Sequence, residues 1–521
     1  MNAAPEHLTP PCVVTAPWQR LSGRVVWVDL VRSLLSLTPG VFAVVVVRVE
    51  PTLSTLWPLA LVAVFGVFGA AFDIVRWAFT RYRITDTDIE RRTGVLVRQH
   101  RTIRRDRIRS VDAHAKLRHR LAGLRIVTIG AGQQTGASEA ALHLDALSKA
   151  DAQQLRHRLL GTRSAGAGGD PAEPAASEQG AASGERGAEV FATLRAWWVV
   201  YNIFSSWGYL LAAGLLWGAY WLASTFGVNL LGVATGIADW DSLGWAGTAV
   251  VILVVGGVVG SLGMGASFFT SYWKFELARV RIGDASYLRT RRGLFSTHEV
   301  SRDEARMRGL SIGEPVLWRW MGMADTNIIT TGLSMWDMEQ PTAILPRGPV
   351  RVAREIAARV LGEPSPVDAP LARHPRAALR RRLWWATLAT MGPTLLLAAP
   401  VASDAAPSWI LAVALALWPV ALLAAVLAYR ALGHAIVGDH LVVRVGLLSR
   451  TTSVLRRDAV STIAVSQSIL QKRLGLSTVS AMTAAGWGYV QAPDIASHEA
   501  TVFATQAAPG LVDEFIVTEV E

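Results

Sequence analysis

One cysteine, Cys12, in 521 residues excludes an intramolecular disulfide framework and any multi-cysteine metal site. Residues 1–20 lack an apolar core ahead of a small-residue cleavage site. No signal peptide is expected there, and membrane insertion should begin at the first true span. Catalytic signatures are missing as well. Ser138, Glu139 and the scattered hydroxyls sit in no nucleophile elbow. His114, His119, His143 and His157 lack the paired spacing with a glutamate that helical zinc sites use. "GAGQQTG" (130–136) has neither the lysine nor the Ser/Thr of a P-loop, and no βαβ unit follows, so it reads as a hairpin turn. No catalytic, cofactor or metal residue is assigned, and no enzymatic activity is expected.

What the chain does have is apolar surface and positive charge. Hydrophobic residues make up 51% and the formal charge is +11. The mean hydropathy is +0.32 and the pI near 10.3. This composition indicates a membrane protein. The charge sign alone fits a nucleic-acid binder equally well. Six stretches approach the roughly 20 apolar residues that a bilayer core requires: 27–47, 53–72, 197–223, 247–269, 383–401 and 409–428. They fall into three pairs. Asp29 and Arg32, in the opening turns of the first, read as snorkelling at an interface.

The connections within pairs hold Glu50, Asp239, Asp241 and Asp404 against one base, Arg48. The outer ends hold Arg20, Arg24, Arg76, Arg81, Arg83, Arg195, Lys274, Arg376, Arg380, Arg381, Arg382 and Arg430. By the positive-inside bias, both termini and all long segments are expected in the cytoplasm. Tryptophans 57, 77, 197, 198, 221, 245, 273, 384, 385 and 409 lie near span ends, as in an aromatic belt. A transporter is the competing class. Its substrate path would need ionisable residues or broken helices at mid-membrane. The span centres carry no charge, and "GGVVGSLGMGAS" (256–267) suits a helix-packing face.

A soluble segment follows each pair, and the segments resemble one another. With Gly446 placed on Gly94, Leu455-Arg456-Arg457-Asp458 falls on Ile103-Arg104-Arg105-Asp106 without a gap, and Ile463 on Val111. With Gly293 on Gly94, Arg306-Met307-Arg308 falls on Arg107-Ile108-Arg109, and Gly322 on Gly123. Agreement of independent positions at one offset identifies an internal repeat. Each unit reads as strands followed by a helix. Tyr82, Ile84, Val95 and Val97 alternate with polar residues, and Gly94, Gly293 and Gly446 suit a turn between the first two strands. Ser148 can cap a closing helix with Asp151 three residues on and Leu155, Leu159 and Leu160 as its stripe. In the second unit Pro349 stands near the helix start, with Ile356, Val360 and Leu361 as the stripe. In the third, "PGLVDEFIVTEVE" (509–521) is expected to be the closing helix.

Two apolar helices, then "Y.IT…R.G…R….I…RI.SV…L…L.GL…I", then a helix, resemble the membrane-flanked bacterial PH-like domain. The three-copy arrangement resembles the YdbT-like proteins of bacteria. This resemblance implies a PH-type fold, a bent antiparallel sheet or partly open barrel capped by a C-terminal helix. It also implies no enzymatic activity, and a companion, a smaller YdbS-like membrane protein with one module. In the middle copy Asp303-Glu304 replaces the double arginine, so an anion-binding role shared by all copies is in doubt there.

The expected layout is a tail (1–26), hairpin 1 (27–78), PH-like module 1 (79–162), a flexible linker (163–189), hairpin 2 (190–272), module 2 (273–362), a basic linker (363–382), hairpin 3 (383–430) and module 3 (431–521). A coil of about 26 residues spans roughly 28 Å, which would let module 1 move relative to hairpin 2. The arginine-dense stretch 94–111 has three readings: an anionic-headgroup surface, a solvated strand face, or a nucleic-acid arm. No nucleic-acid-binding signature accompanies it, so no nucleic-acid partner is expected. Each base near an anionic leaflet contributes about 1 kcal/mol. The candidate lipid or partner surface is Arg91, Arg92, Arg98, Arg101, Arg104, Arg105, Arg444, Arg450, Arg456 and Arg457. The expected partners are membrane lipids with anionic headgroups, and the one-module companion or a second copy of the chain. The expected function is a membrane scaffold presenting three modules to them.

Overall fold

The computed structural model describes residues 17–36, 38, 53–85, 87–94, 98–105, 108, 110–130, 141–161, 188–205, 207–225, 228–237, 240–282, 285–330, 342–362 and 364–511. Among the described residues, three helices are long and apolar enough to cross a bilayer: Trp240–Tyr272, Arg376–Ala402 and Trp409–Arg430. Protein covers 11% of the apolar window of the first and 6% of each of the other two, so their remaining surface calls for an apolar solvent. Of the first expected span, the helix Arg24–Ser36 is described, while 37 and 39–52 lie outside the described residues. The second is the helix Leu53–Ala78, which runs on through Asp73 and Arg76.

The third span departs from expectation. Ala196–Ile203 and Trp207–Ser224 meet at 88°. The first piece is held on the soluble part of the molecule. Trp198, 2% exposed, and Tyr201 pack with Phe268 and Met323, and Asn202 Nδ2 donates to the Arg347 carbonyl at 3.2 Å. Trp198 is therefore core and not part of an aromatic belt. Helix Trp240–Tyr272 is interrupted at Gly244 (φ 61°), while its glycine-rich stretch stays helical. A Cβ on Gly260 would lie 2.4 Å from the Gly208 carbonyl oxygen, so two helices touch there at backbone distance. The expected basic linker ends early, because Arg376, Arg380, Arg381 and Arg382 already form the first turns of the fifth helix.

The soluble strands run in chain order β1 (Gln19–Arg20), β2 (Arg81–Ile84), β3 (Asp88–Thr93), β4 (Gln99–Arg104), β5 (Ser110–Lys116), β6 (Leu124–Gly130) and β7 (Ala141–Ser148) in the first segment. The second holds β8 (Glu189–Thr193), β9 (Glu276–Ile282), β10 (Ala285–Arg292), β11 (Ser296–Asp303), β12 (Met307–Pro315), β13 (Met323–Thr330) and β14 (Gly348–Pro349). The third holds β15 (Gly433–Val437), β16 (His440–Val445), β17 (Ser449–Arg456), β18 (Thr462–Ser466), β19 (Leu476–Met482) and β20 (Tyr489–Ala496). The chain ahead of each helix pair returns to the sheet behind it, as a strand in the first two and as a single bridge in the third. β1 pairs with β2, β8 with β9, and Ala372 bridges His434. Gln19 and Arg20, within the expected tail, are thus sheet.

The sheets do not respect segment borders. Their orders are β1-β2-β3-β4, β7-β6-β5-β11-β10-β9-β8, β14-β13-β12-β17-β16-β15 and β18-β19-β20. After β11 and β17, one-turn 3-10 helices at Glu304–Arg306 and Arg457–Ala459 redirect the chain, so the next strand leaves its own sheet. In the first two segments the strand that leaves joins the following segment, β5 pairing with β11 and β12 with β17, while β18 begins the sheet it forms with β19 and β20. Each segment gives strands to two sheets, which in the first enclose one core with the closing helix through Ile89, Val127 and Leu155, in keeping with the expected PH-like module. One consequence corrects the expected picture. The first segment is fixed to the second by a seven-residue register, whatever the length of the linker. Of that linker, 163–187 lies outside the described residues.

The repeat is visible in backbone conformation. Gly94, Gly293 and Gly446 have φ of 111°, 108° and 132°. A Cβ at Gly446 would stand 1.7 Å from the Ser449 carbonyl oxygen, so only glycine fits. The turn joins the second and third of the strands that follow each helix pair, not the first two. Gly123, Gly322 and Gly475 also have positive φ, and each carbonyl accepts from the first residue of the closing helix, Lys149, Val350 or Ser497. Ser148 caps the first of these helices as expected, accepting from Asp151 N at 3.1 Å, and Leu155 and Leu159 are buried beneath it. The third closing helix is Ser497–Ala507, upstream of the expected one. Residues 512–521 lie outside the described residues.

The third segment grips its helix pair through a buried polar cluster. His434 Nδ1 lies 3.1 Å from His374 Nε2, and His374 Nδ1 lies 3.1 Å from the Asp494 carbonyl oxygen. Burial holds His434 at about 4 and lowers His374 from its ordinary value. The unfolded chain therefore binds protons between about pH 6.5 and 4 that the fold excludes. The resulting stability is whole above pH 6.5 and is lost as pH falls towards 4. For His434 alone this is about 1.4 kcal/mol per pH unit within that window. Thermal melts of the full chain at pH 7.5 and pH 4.5 should show it, with a smaller drop in His434→Gln. Equal drops in both proteins would exclude this source.

Candidate functional site

Where the first helix pair meets the first segment, the fold leaves a cavity of about 500 Å³. Its floor is sheet: Arg91 from β3, Arg101 from β4, His114 and Lys116 from β5, and His143 and Asp145 from β7. The short helix Leu117–Leu121 adds Arg118 and His119, and the end of helix Leu53–Ala78 adds Asp73, Arg76 and Trp77. On β5 and β7 strand alternation puts His114, Lys116, His143 and Asp145 towards the cavity, while Val111 and Leu144 point into the core behind; Arg91 and Arg101 share a strand face with Ile89 and Ile103, further along the same strands.

Polar contacts fix the walls. Arg91 Nη1 donates to the His143 carbonyl at 2.6 Å, Thr128 Oγ1 lies 3.1 Å from His143 Nδ1, and Trp77 Nε1 donates to the Leu21 carbonyl at 3.0 Å. Arg76 and Asp145 are 3.4 Å apart. Burial pushes His114 down to about 4 and lowers His119, so both are neutral at pH 7. Arg91 is also lowered by burial. Five cations, Arg76, Arg91, Arg101, Lys116 and Arg118, then face two carboxylates, Asp73 and Asp145. His119 Nδ1 and Arg118 Nε are buried with no hydrogen-bond partner among the described residues. A low-dielectric recess with surplus positive charge and spare donors suits a phosphate-bearing ligand.

The ten arginines singled out from the sequence do not form one surface. Arg91 and Arg101 line the cavity. Arg92 stacks on Trp18, its guanidinium 4.3 Å from the ring centre. Arg98 and Arg104 are exposed beside and on β4, and the Arg105 backbone N–H bonds the Thr87 carbonyl at 2.8 Å. In the third segment, Arg450 pairs with the buried Glu314 across the β12–β17 joint, with Arg444 under the influence of both. Arg456 pairs with Asp458, and Arg457 donates to the Gly438 carbonyl at 3.3 Å. The Arg-Arg-Asp motif of the third copy is thus an internal pair. Its counterpart in the first includes Asp106, outside the described residues, as is most of 130–136. The cavity also uses Lys116, Arg118 and the histidines. Sequence reasoning weighed those histidines only as zinc ligands, and no periodicity joins them to helix Leu53–Ala78.

Residues 35–163 and 388–509 match the model of the bacterial PH domain. Each match takes in an apolar helix, Leu53–Ala78 or Trp409–Arg430, as well as the strands that follow. No curated protein and no solved structure matches the chain.

Proposed function

Starting from two stretches that match the bacterial PH domain, we propose that this chain is a multi-pass membrane scaffold of the YdbT-like kind. Three helix pairs hold three PH-like modules against the cytoplasmic leaflet, with both termini on that side and no catalytic step. The middle segment, which the domain model does not match, is taken as a diverged third copy. Its glycines, turns and closing helix repeat those of its neighbours. The role is binding. The ligand class read here is the anionic lipid headgroup, carried by one observation: the basic cavity at the foot of the first helix pair, beside Trp77.

Full-length protein in nanodiscs, analysed by native mass spectrometry, should retain phosphatidylglycerol over phosphatidylcholine. Arg91→Gln, Arg101→Gln and Lys116→Gln together remove three bases worth about 1 kcal/mol each near a leaflet. Retention should fall on the order of a hundredfold, and more weakly in high salt. Retention that ignores headgroup charge, or that survives the triple substitution, refutes the lipid reading.

A further inference from the structure

The joint between segments is used twice, in one register. With Gly94, Gly293 and Gly446 superposed, Arg302 and Leu455 occupy one position, and Ser110 and Gly309 another. Arg302 faces Ser110 in the first joint, and Leu455 faces Gly309 in the second. Both are made by the fourth in-segment strand of one unit and the third of the next. A buried acid lies in each: Asp112 acts on Arg302, and Glu314 pairs with Arg450.

Two strands are left over. β4 ends one sheet and β18 ends another, with no strand beyond either among the described residues. β4 is the first segment's version of β11 and β17, and β18 is the third segment's version of β5 and β12. At the positions of Val465, Ala113 and Ile312 are buried in joints, whereas Val465 is 48% exposed. At the position of Thr102, Ser301 and Val454 are buried, whereas Thr102 is exposed. β18, Thr462-Ile463-Ala464-Val465-Ser466, carries none of the charge, proline or bulge that normally blunts an open edge.

We propose that β18 pairs antiparallel with β4 of a second copy of this chain, in the register of the two internal joints. Ile103 then faces Thr462, Thr102 faces Ile463, Arg101 faces Ala464 and His100 faces Val465. The contact is head-to-tail, so it builds a row or a ring in the plane of the membrane. It rests on the reading that the three soluble segments share one side of the bilayer.

The test uses the full chain in liposomes, with Cys12→Ser as background. His100→Cys and Val465→Cys chains, mixed and mildly oxidised, should give a two-chain disulfide species that neither yields alone. Arg101→Cys with Val465→Cys, one residue out of register and on the opposite face, should give none. Val465→Lys and Val465→Pro should each lower the assembled fraction at least tenfold. Phosphatidylglycerol retention should stay at the wild-type level in both, which separates this contact from the lipid reading. The proposal is overturned if the mixture does not crosslink, if a chain carrying both His100→Cys and Val465→Cys crosslinks only within itself, or if both Val465 variants assemble like wild type.

Discussion

Replacing Asp494 with leucine should cost about 3–5 kcal/mol, the usual penalty for stranding buried charge, and should loosen the third helix pair from its sheet. The carboxylate is fully buried. It accepts from Arg381 Nη1 at 2.5 Å and Gln471 Nε2 at 2.9 Å, and Arg382 lies 3.3 Å away. Both arginines belong to helix Arg376–Ala402, so one side chain on β20 holds the cationic start of that helix. Asp494 also has a φ of 64°, a conformation that aspartate and asparagine tolerate better than branched residues. Asp494→Asn keeps the backbone preference and removes only the charge, so it should fall between leucine and wild type. Melting of the full chain in detergent, with protease cleavage near 403–408 as a second readout, checks the order. Asparagine behaving like leucine would mean that the charge is not the cause.

Gly309→Val should open the second joint. A Cβ there would lie 2.0 Å from the Val454 carbonyl oxygen and 3.0 Å from Leu455 Cα. These are backbone atoms of the facing strand, which cannot rotate aside, and overpacking of this kind costs about 1–3 kcal/mol or more. The damage should be local. Amide protection along 309–315 and 449–455 should drop by an order of magnitude or more in hydrogen exchange, while that of β5 and β11 stays. Gly313→Ala is the control, because its nearest neighbour is the Ser449 hydroxyl at 3.3 Å, which can swing away. Equal exchange in the two variants would show that the close approach does not hold this joint.

The features legible in the sequence were those set by local chemistry. Gly94, Gly293 and Gly446 marked the repeat because each needs the same positive φ, and Ser148 announced its helix because a cap is a contact three residues away. The span 409–428 came within two residues of helix Trp409–Arg430 because apolar length is read directly. Pairing across segments was not legible, since a strand's partner leaves no local mark. No local feature of the sequence singles out Asp112 or Glu314, yet both lie buried in joints. The closing helix Ser497–Ala507 was missed because its buried stripe is mainly alanine, Ala500, Ala504 and Ala507 around Phe503. The greasier 509–521 drew attention instead. The basic cavity stayed hidden because β3, β5, β7 and helix Leu53–Ala78 supply it together, while the arginine run that suggested it scatters to other uses.

The strands that return ahead of each helix pair tie both legs of a hairpin to one sheet edge. Such a neck cannot splay without breaking backbone hydrogen bonds. Tilt imposed by a thicker or thinner bilayer is therefore delivered to the sheet as rotation of a rigid lever. Because the sheets behind the second and third helix pairs each take in strands of the segment before, a strain on either pair is passed to that segment.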